Sequence, residues 1–446
     1  MKCEGLFQCQ HKIIGDEPVI FLSYRTNNGK KIVEQIRDFK PYFYVDKKLF
    51  NDNQISNKIE QVEDEPLKTI FGDKVVKCYT KNPKEIYYTR AWYKQGDGQD
   101  CWKKVYESDI MFDLRYMIDK IDRVEETNLK VLTFDIETDV SQGFPKKDNP
   151  VEPITCVSLH DSYSQQIQTF VWREDLTVKK KAVDDGIVCY YNDEIEMLKD
   201  FIRAWRRIDP DILTAWNIGF DIGYLLARMR YLKIGWHVLS NVDVPEPVFQ
   251  HPKKEPEILG TVVFDMLQAY KKMHFGELQS YTLNDIAHKE LGVGKEKIMD
   301  FGNLLKDNLQ HLIDYNRKDV DLVVRIDKKA KLIKIFDDIK RYAGVRNIND
   351  CFYASRIHET RIMKKYKDKY IFPSKAPFVE KSAATMIKGA FVKEPEPGLY
   401  ENVVVLDFKS LYPSIIYTFN LSTEMKSENG VDINGVKLRQ DVKGIM

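Results

Sequence analysis

The sequence predicts a multidomain protein of α/β and α+β class, in which a central mixed sheet is flanked by helices. Three observations indicate this class. The chain has 446 residues, which is more than a single hydrophobic core usually organises. Residues 1–130 alternate short apolar runs with turn signals, a pattern typical of an α+β segment. From residue 131 onward, strand-like runs precede segments of helical periodicity, and this order favours a mixed sheet covered by helices.

Strand-like runs dominate the first 130 residues. They are rich in β-branched and aromatic residues and are bounded by turn formers: "EPVIFLSYRT", "KPYFYVD", "KVVKCYT" and "EIYYTRAWY". The stretch "QGDGQD" predicts an exposed turn or loop, because glycine and aspartate favour turn conformations. This segment carries no cluster of catalytic residue types, so it predicts no active site of its own.

The next region begins with three predicted strands, "KVLTFDIET", "ITCVSLHD" and "QIQTFVW". A helix follows, because apolar residues recur at spacings of three and four from Ile195 to Trp205. Asp193 and Glu196 form a plausible capping pair at its start, and Pro210 lies beyond its end. The run "DILTAW" predicts another strand, and further helices are predicted over "SYTLNDIAHKELG" and "LQHLIDYNRKDVDLVVRIDKKAKLIKIF".

A third region begins near "IFPSKAPF" and ends in a polar tail. Here "KEPEPG" predicts a turn, "VVVLDF" a buried strand and "SLYPSII" a strand-to-helix transition. The stretch "TEMKSENGVDINGVKLRQDVKG" is polar, and we expect it to be an exposed surface segment.

Composition and charge set limits on the class of protein. No apolar run approaches the roughly 20 residues that span a bilayer, and the N-terminus lacks the pattern of a signal peptide. We therefore expect an intracellular protein without a membrane partner. Seven scattered cysteines favour reduced thiols, with Cys3 and Cys9 as an alternative redox or metal pair. The net charge of +1 decides nothing about nucleic acid, because acidic metal ligands and a basic rim would cancel.

Two acidic residues lie inside an apolar strand. Asp135 and Glu137 are two residues apart, so their side chains project from the same face. Burying two ionised carboxylates is costly unless a cation lies between them, and Mg²⁺ or Mn²⁺ prefers such oxygen ligands. The alternative is that this end of the strand is open and both acids are solvated.

Two later segments add polar residues to this pattern. In "AWNIGFDIGYL", Asn217 and Asp221 lie at a predicted strand-to-helix junction. In "DYNRKDVD", Tyr315 and Asp319 are four residues apart and share one helix face. Each residue alone fits a structural role, but the ordered set favours a metal-dependent site.

The three segments resemble the three exonuclease motifs of the proofreading domain of family B DNA polymerases, within the ribonuclease-H-like exonucleases. In addition, "KGAFVKEPEPGLYENVVVLDFKSLYPSII" is similar to the linker motif and first palm motif of archaeal and viral members. The resemblance implies a template-binding domain at 1–130 with a return segment at 340–370. It also implies a 3′–5′ exonuclease domain at 131–339 and the start of a polymerase palm, incomplete, at 371–446.

For the exonuclease, the resemblance implies two Mg²⁺ or Mn²⁺ ions per active site, with Asp135, Glu137 and Asp319 as ligands. Asp221 would bind a metal directly or through water. Tyr315 would orient the attacking water, Asn217 would hold the 3′-terminal nucleotide or the Asp221 loop, and Phe220 would stack or simply pack. One departure concerns the second motif. The family usually has three residues between its Asn and its Phe-Asp pair, whereas only Ile218 and Gly219 lie there in this chain.

For the palm, the resemblance implies that Asp407 binds the metals that carry an incoming nucleotide. The backbone of Phe408 and the turn at Ser410 and Leu411 would hold the triphosphate. Tyr412 would pack under the sugar and exclude a 2′-hydroxyl. Gly389 would allow the template backbone to approach closely, although a plain turn fits that glycine equally well.

The implied function is the large N-terminal portion of a DNA-directed DNA polymerase with 3′–5′ proofreading. Its implied substrates are primer–template DNA, single-stranded DNA and deoxynucleoside triphosphates. Fingers, the rest of the palm and a thumb would come from a second polypeptide in a split polymerase, or the chain is truncated. A sliding clamp is a further candidate partner, in a cytoplasmic archaeal or viral replication context.

Two other functions fit parts of the sequence. The shortened second motif allows a non-catalytic module that binds DNA and a partner through an inactive exonuclease fold. A free-standing RNA-processing exonuclease would also use the acidic motifs, but it would have no use for the palm signature.

Overall fold

The computed structural model describes residues 2–51, 58–95, 104–140, 143–249, 255–274, 276–294, 308–375 and 391–445. Its strands, in chain order, are β1 (Lys2–Glu4), β2 (Leu6–Ile14), β3 (Glu17–Arg25), β4 (Lys31–Ile36), β5 (Tyr42–Asp46), β6 (Ile59–Thr69), β7 (Lys74–Thr80), β8 (Val105–Tyr106), β9 (Arg123–Glu125), β10 (Val131–Thr138), β11 (Ile154–Asp161), β12 (Gln166–Trp172), β13 (Lys179–Val183), β14 (Gly186–Tyr191), β15 (Ile212–Ala215), β16 (Val248–Phe249), β17 (Glu257–Ile258), β18 (Val262–Asp265), β19 (Tyr370–Ile371), β20 (Lys426–Ile433) and β21 (Val436–Leu438).

The α-helices of the described ranges are α1 (Lys47–Asn51), α2 (Pro83–Gln95), α3 (Phe112–Lys120), α4 (Glu194–Ile208), α5 (Ile218–Tyr231), α6 (Met266–Met273), α7 (Leu283–Leu291), α8 (Leu309–Ala330), α9 (Leu332–Ala343), α10 (Ala354–Tyr366) and α11 (Leu411–Phe419). Short 3₁₀ helices cover Trp236–Leu239, Ile348–Phe352 and Thr423–Met425. None of the helices described is both long and apolar enough to cross a membrane. Each of the six cysteines in these ranges is a free thiol.

The chain divides into two compact units. The first contains residues 1–41, 80–85 and 110–367, and the second contains residues 42–79, 86–109 and 368–446. The first unit thus combines residues from the predicted N-terminal and exonuclease regions. The predicted domain boundaries stay predictions.

A seven-stranded mixed sheet forms the centre of the first unit, in the order β13-β14-β12-β11-β10-β15-β18. Strand β10 pairs antiparallel with β11 and parallel with β15, and β15 pairs parallel with β18. Helices α4 and α5 contribute to the core on one face, and α6, α7, α8 and α9 contribute to the cores on the other. The mixed sheet flanked by helices that the sequence predicts is therefore confirmed.

The alternation of β10 places the acidic residues. Leu132, Phe134 and Ile136 point into the core that contains α4 and α5. Asp135 and Glu137 therefore project from the opposite face, where α8 packs against the sheet. The period of two thus directs both carboxylates toward a single helix.

The remainder of the first unit includes the three-stranded antiparallel sheet β2-β3-β4 and the parallel pair β1-β9. The second unit has a five-stranded sheet in the order β19-β6-β7-β5-β8, a core around Phe43 and Val45, and the hairpin of β20 and β21.

Two predicted strands are wrong. "EIYYTRAWY" lies in helix α2, whose start carries helix signals: the side chain of Asn82 accepts from the backbone N–H of Lys84, and Pro83 occupies the first helical position. "VVVLDF" forms neither a strand nor a core, because in the described part of the chain no strand pairs with residues 403–408. Val405 and Leu406 are 87% and 89% exposed.

The polar stretch at the end of the chain contains more structure than the sequence analysis predicted. Strands β20 and β21 form a hairpin whose turn is Asn434 and Gly435, both with positive φ. Asn-Gly is a strong hairpin signal, because both residues tolerate the left-handed conformation that tight turns need. The "QGDGQD" loop, apart from Gln95 in α2, and Gly389 lie outside the described residues.

Candidate active site

Three carboxylates from distant parts of the first unit meet beside β10. Asp135 and Glu137 come from β10, and Asp319 comes from α8. Each offers an oxygen, and these oxygens lie within 4.8 Å of one another. Asp319 is buried, with 5% of its surface exposed, while Asp135 and Glu137 are half-buried. In the described part of the chain, this is the one group of three acidic, histidine or cysteine side chains placed so closely.

Helix α8 carries the third segment of the pattern. The side chain of Asn308 caps its start by accepting from the backbone N–H of His311 at 3.1 Å. Tyr315 and Asp319 follow one turn apart, and Tyr315 is half-buried and lines a cavity with His311 and Lys318. The helix therefore brings Asp319 to the two β10 carboxylates, with Tyr315 one turn away.

Asp221 approaches the same strand from helix α5. Its Oδ1 accepts from the backbone N–H of Ile136, which lies between the two β10 acids, at 3.4 Å. It is 5% exposed and is not a member of the close group of three. Burial raises the pKa of Asp221 to about 7, and the negative charge of Asp319 adds to that rise. Asp221 is thus held at the edge of the cluster and is coupled electrostatically to it.

The shortened second motif forms a tight turn before α5. Asn217 precedes the helix with a left-handed backbone (φ 61°), and its side chain is exposed and makes no capping hydrogen bond. Asparagine is one of the few residues that adopt this conformation readily. The turn keeps Asp221 in the first turn of α5 and leaves the Asn217 side chain exposed.

A second buried acid, Asp265, supports this turn. It ends β18, is 6% exposed, and its Oδ1 accepts from the backbone N–H groups of Leu267 and Gln268 at 2.9 and 3.3 Å. Burial raises the pKa of Asp265 to about 6. Backbone hydrogen bonds, including one from Asn217, oppose this rise because they stabilise the ionised carboxylate. Asp265 therefore caps α6 and contacts the backbone of the second motif.

Asn316 lies between the acidic group and the neighbouring strand β11. It is fully buried (0% exposed), and its Nδ2 donates to Asp135 Oδ2 at 2.8 Å. Its Oδ1 accepts from the thiol of Cys156 at 3.4 Å. Burial raises the pKa of Cys156, and the charges of Glu137 and Asp135 raise it further, so this residue is a neutral thiol.

Aromatic side chains lie beside α5. The ring of Phe220 is half-buried, with its centroid 6.1 Å from that of Tyr224 in a stacked arrangement and 5.6 Å from that of Phe144. Phe144 is 75% exposed. Phe220 therefore packs on one side and contributes to an exposed aromatic surface on the other.

The palm residues predicted from the sequence lie in the second unit. Asp407 is exposed, as are Phe408, Leu411 and Tyr412 at 77%, 44% and 74%. Ser410 has a left-handed backbone (φ 57°) immediately before α11 begins at Leu411. Among the described residues, Asp407 belongs to no group of three or more closely spaced acidic, histidine or cysteine side chains. Of the strand-to-helix transition predicted for "SLYPSII", the structure has the helix, which begins at Leu411, and no strand in the described residues immediately before it.

The donor set of the first site fits a hard divalent cation. All three close ligand atoms are carboxylate oxygens, which Mg²⁺ and Mn²⁺ prefer, whereas zinc sites usually contain His or Cys. Three carboxylates this close repel one another unless a cation compensates their charge. The cluster can therefore bind divalent metal at a place where β10, α5 and α8 converge.

Sequence reasoning missed Asn316 and Asp265. Asn316 lies inside "YNRKD", next to Tyr315, where a buried amide has no pattern of its own. Asp265 ends the apolar run "VVFD", which is the same kind of signal that marks Asp135.

Comparison with known proteins identifies two matching family models. Residues 89–286 match the model for "DNA polymerase family B, exonuclease domain". Residues 353–443 match the model for "DNA polymerase family B". Together these two segments cover more than half of the chain.

Individual relatives agree with these models. The chain is 29% identical over 358 residues to the DNA-directed DNA polymerase of Escherichia phage RB69, covering 73% of this chain and 38% of the relative. It is 27% identical over 446 residues to the DNA polymerase of Thermococcus gorgonarius, covering 93% of this chain and 54% of the relative. The chain thus spans about half the length, or less, of these relatives.

A solved structure shares the fold. The family B DNA polymerase of the hyperthermophilic archaeon Pyrobaculum calidifontis aligns with a TM-score of 0.75 at 20% sequence identity, covering 99% of this chain and 61% of that one. With the acidic cluster, the exonuclease-type sheet and the two family models, this agreement leads to one conclusion. The chain belongs to the family B DNA polymerases and carries their exonuclease region in its N-terminal part.

Proposed function

We propose that the acidic cluster is the active site of a metal-dependent 3′–5′ exonuclease that proofreads DNA. The observation that carries this proposal is the convergence of oxygens from Asp135, Glu137 and Asp319 within 4.8 Å, with Asp221 beside them. The family membership supports DNA as the substrate, and the oxygen-only donor set supports Mg²⁺ or Mn²⁺.

In this proposal, the residues of the cluster have different roles in phosphodiester hydrolysis. Asp135, Glu137 and Asp319 would hold two divalent ions, and Asp221 would bind one of them directly or through water. When bound, such ions activate a water molecule and stabilise charge on the departing 3′ oxygen. Tyr315, one turn from Asp319, orients the attacking water with its hydroxyl. No serine, cysteine or histidine nucleophile is required for this reaction.

The exposed aromatic surface supports a role in holding the DNA end. Nucleic-acid bases stack on aromatic side chains without strong sequence preference. Phe144, at 75% exposure, and Phe220 beside it offer such a surface next to the second motif. Asn217 holds the 3′-terminal nucleotide or shapes the turn that carries Asp221; its exposed side chain is free of capping bonds, which suits the first role.

We also propose that the second unit contributes to a nucleotide-polymerising site. Asp407 would bind metal ions, the backbone around Phe408, Ser410 and Leu411 would hold a triphosphate, and Tyr412 would pack under its sugar. Gly389 keeps its proposed role near the template. A helix start immediately after Ser410 supports the triphosphate assignment, because N–H groups at a helix start bind anions.

Polymerisation in this proposal needs polypeptide beyond these 446 residues. The relatives are longer, and the apolar residues 403–406 are exposed, which suits a segment that further polypeptide would cover. Fingers, the rest of the palm and a thumb would come from the same polypeptide or from a separate one. A sliding clamp and a cytoplasmic archaeal or viral replication context stay predictions, and the phage and archaeal relatives support the context.

The test removes two metal ligands without changing side-chain size. In the double variant Asp135→Asn, Glu137→Gln, we expect degradation of a 5′-labelled single-stranded DNA in Mg²⁺ or Mn²⁺ to fall at least ~100-fold, because metal binding supplies several kcal/mol of transition-state stabilisation. The matched control is Asp321→Asn on the same helix as Asp319. Asp321 is 38% exposed and pairs with Lys318 and Arg325, so this control retains activity.

Other outcomes separate the alternatives. Equal activity of the double variant and the wild type would refute the site assignment. Absence of cleavage by the wild type, with primer–template binding retained, would favour a non-catalytic module. Faster degradation of RNA than of DNA of the same sequence would favour an RNA-processing exonuclease.

A further inference from the structure

A buried amide connects the acidic cluster to the sheet behind it. Asn316 has no exposed surface, and its two polar ends contact different partners: Nδ2 donates to Asp135, and Oδ1 accepts from the Cys156 thiol. Cys156 lies on β11, directly opposite Glu137 in the strand pairing. The contact chain therefore runs from β11 through α8 to the β10 ligand Asp135.

The two partners fix which way the amide faces. An amide rotated by 180° would place its oxygen against the Asp135 carboxylate, and two acceptors would then oppose each other. It would also place its NH₂ group against the Cys156 sulfur, which is only a weak acceptor. The observed orientation satisfies both neighbours, so the amide presents a donor to Asp135.

We propose that Asn316 is a positioning residue of the exonuclease site. Its amide restrains the Asp135 carboxylate beside Glu137 and Asp319, and the Cys156 thiol in turn fixes the orientation of the amide. The inference rests on the proposed function, because it concerns how Asp135 is prepared to bind metal. Hydrogen bonds to metal-ligating carboxylates generally orient them, and removing such a partner typically weakens metal binding 10–100-fold.

A purely structural role is the competing explanation, since a buried amide also ties α8 to β10 and β11. The two roles differ in what they change. A structural role lowers the stability of the fold and leaves the metal affinity of the folded protein unaltered. A positioning role weakens metal binding in protein that is fully folded.

The experiment measures Mn²⁺ affinity directly, by electron paramagnetic resonance or calorimetry, on the full chain at a temperature where each variant is folded. For Asn316→Ala we expect Mn²⁺ binding about 10–100-fold weaker than in the wild type. Exonuclease activity at limiting Mn²⁺ should fall with it and recover in part at high Mn²⁺. Thermal unfolding monitored in parallel shows whether the variant is folded.

Two variants of Cys156 provide matched controls. Cys156→Ser keeps a donor toward Asn316 Oδ1 and should bind Mn²⁺ like the wild type. Cys156→Ala removes that donor without touching Asp135, and we expect an affinity between those of the wild type and Asn316→Ala. If Asn316→Ala fails to fold, this pair still tests the proposal, because a structural role predicts equal affinity for both.

Unchanged Mn²⁺ affinity in folded Asn316→Ala, or equal affinities for the two Cys156 variants, would overturn the positioning role. Failure of the proposed function has a different signature. In that case the double variant Asp135→Asn, Glu137→Gln would bind Mn²⁺ as well as the wild type does.

Discussion

The carboxyl group of Asp221 must be ionised to bind a cation, yet it is almost completely buried. Burial raises its pKa to about 7, and Asp319 adds a like charge nearby. An acid whose pKa is higher in the folded than in the unfolded state binds more protons when folded. In metal-free protein, the free energy of unfolding therefore falls as the pH rises from about 4 to 7. A bound cation would compensate the charge and reduce this loss.

This leads to a pH prediction for metal-free protein. Between pH 5 and pH 8, the wild type should lose stability relative to Asp221→Asn, which carries no charge at that position, by an amount on the order of 2 to 4 kcal/mol. Mg²⁺ added at pH 8 should stabilise the wild type and have a smaller effect on the variant. Urea unfolding of both proteins across this range, with and without Mg²⁺, provides the measurement.

The comparison with Asp221→Asn cancels other groups that titrate in the same range, such as Asp265, whose pKa burial raises to about 6. A constant difference in stability between the two proteins from pH 5 to pH 8 would show that Asp221 is already ionised at the lower pH. The site would then be better solvated than its geometry indicates.

Individual residues differ in how far the sequence predicted them. Asp135 and Glu137 are two residues apart on a strand, and Tyr315 and Asp319 are four apart on a helix, so local spacing assigns each pair to one face. The resemblance to the family then joined the segments. Asn316 was missed because its partner is distant in sequence: it contacts Asp135, 181 residues away. Periodicity carries no information about such contacts.

Between elements, a buried ion pair holds the helices around the site. Arg228 near the end of α5 donates from Nε and Nη2 to Glu194 at the start of α4, at 2.9 and 2.6 Å. Glu194 also accepts from the backbone N–H of Ile154 at the start of β11, and Arg228 donates to the carbonyl groups of Pro150 and Val151. The pair thus connects two helices with the segment between β10 and β11.

We predict that Glu194→Ala destabilises the first unit by about 3–5 kcal/mol, because it leaves the Arg228 guanidinium buried without its partner. The matched control is Lys199→Ala on the same helix. Lys199 pairs with Glu196 on the surface, with the two side chains 49% and 55% exposed, and removing it should change stability by less than about 1 kcal/mol. Urea unfolding followed by tryptophan fluorescence reports the difference, since Trp205 lies in the adjoining core.

A double variant separates the charge from the packing. Replacing both partners with apolar residues, Glu194→Leu together with Arg228→Met, should cost less than Glu194→Ala alone, because no unpaired charge remains buried. If the double variant is the less stable of the two, the hydrogen bonds to Ile154, Pro150 and Val151 outweigh the ion pair itself.

The predicted elements succeeded where local signals and tertiary packing agree. Helix α4 was predicted with its cap, and Asp193 does accept from the backbone N–H of Glu196 at 2.8 Å. "EIYYTRAWY" was wrong because its aromatic content favoured a strand, while the helix start at Asn82 and Pro83 decided the conformation. The strand predicted for "VVVLDF" was wrong for another reason. An apolar run forms a strand only where a neighbouring strand pairs with it through backbone hydrogen bonds.

The whole chain contains two proposed chemistries in two separate units. The acidic cluster lies entirely in the first unit, and Asp407 lies in the second. Each site has its own metal ligands, so removing one set should leave the chemistry of the other intact. The exposed apolar segment 403–406 and the exposed helix α11 belong to the second unit, where further polymerase polypeptide is proposed to cover them.

We therefore predict that Asp407→Asn separates the two activities. In a preparation that contains these residues together with the remaining palm, primer extension should fall at least ~100-fold, because a metal ligand of the nucleotide site is lost. Degradation of single-stranded DNA by the same preparation should be unchanged.

Asp441→Asn is the matched control, since Asp441 is an exposed acid of the same unit that pairs with Arg439 at 2.6 Å. The double variant Asp135→Asn, Glu137→Gln should behave in the opposite way, extending primers without degrading them. Normal extension by Asp407→Asn would exclude Asp407 from the polymerising site, and loss of both activities would show that the two units depend on one another.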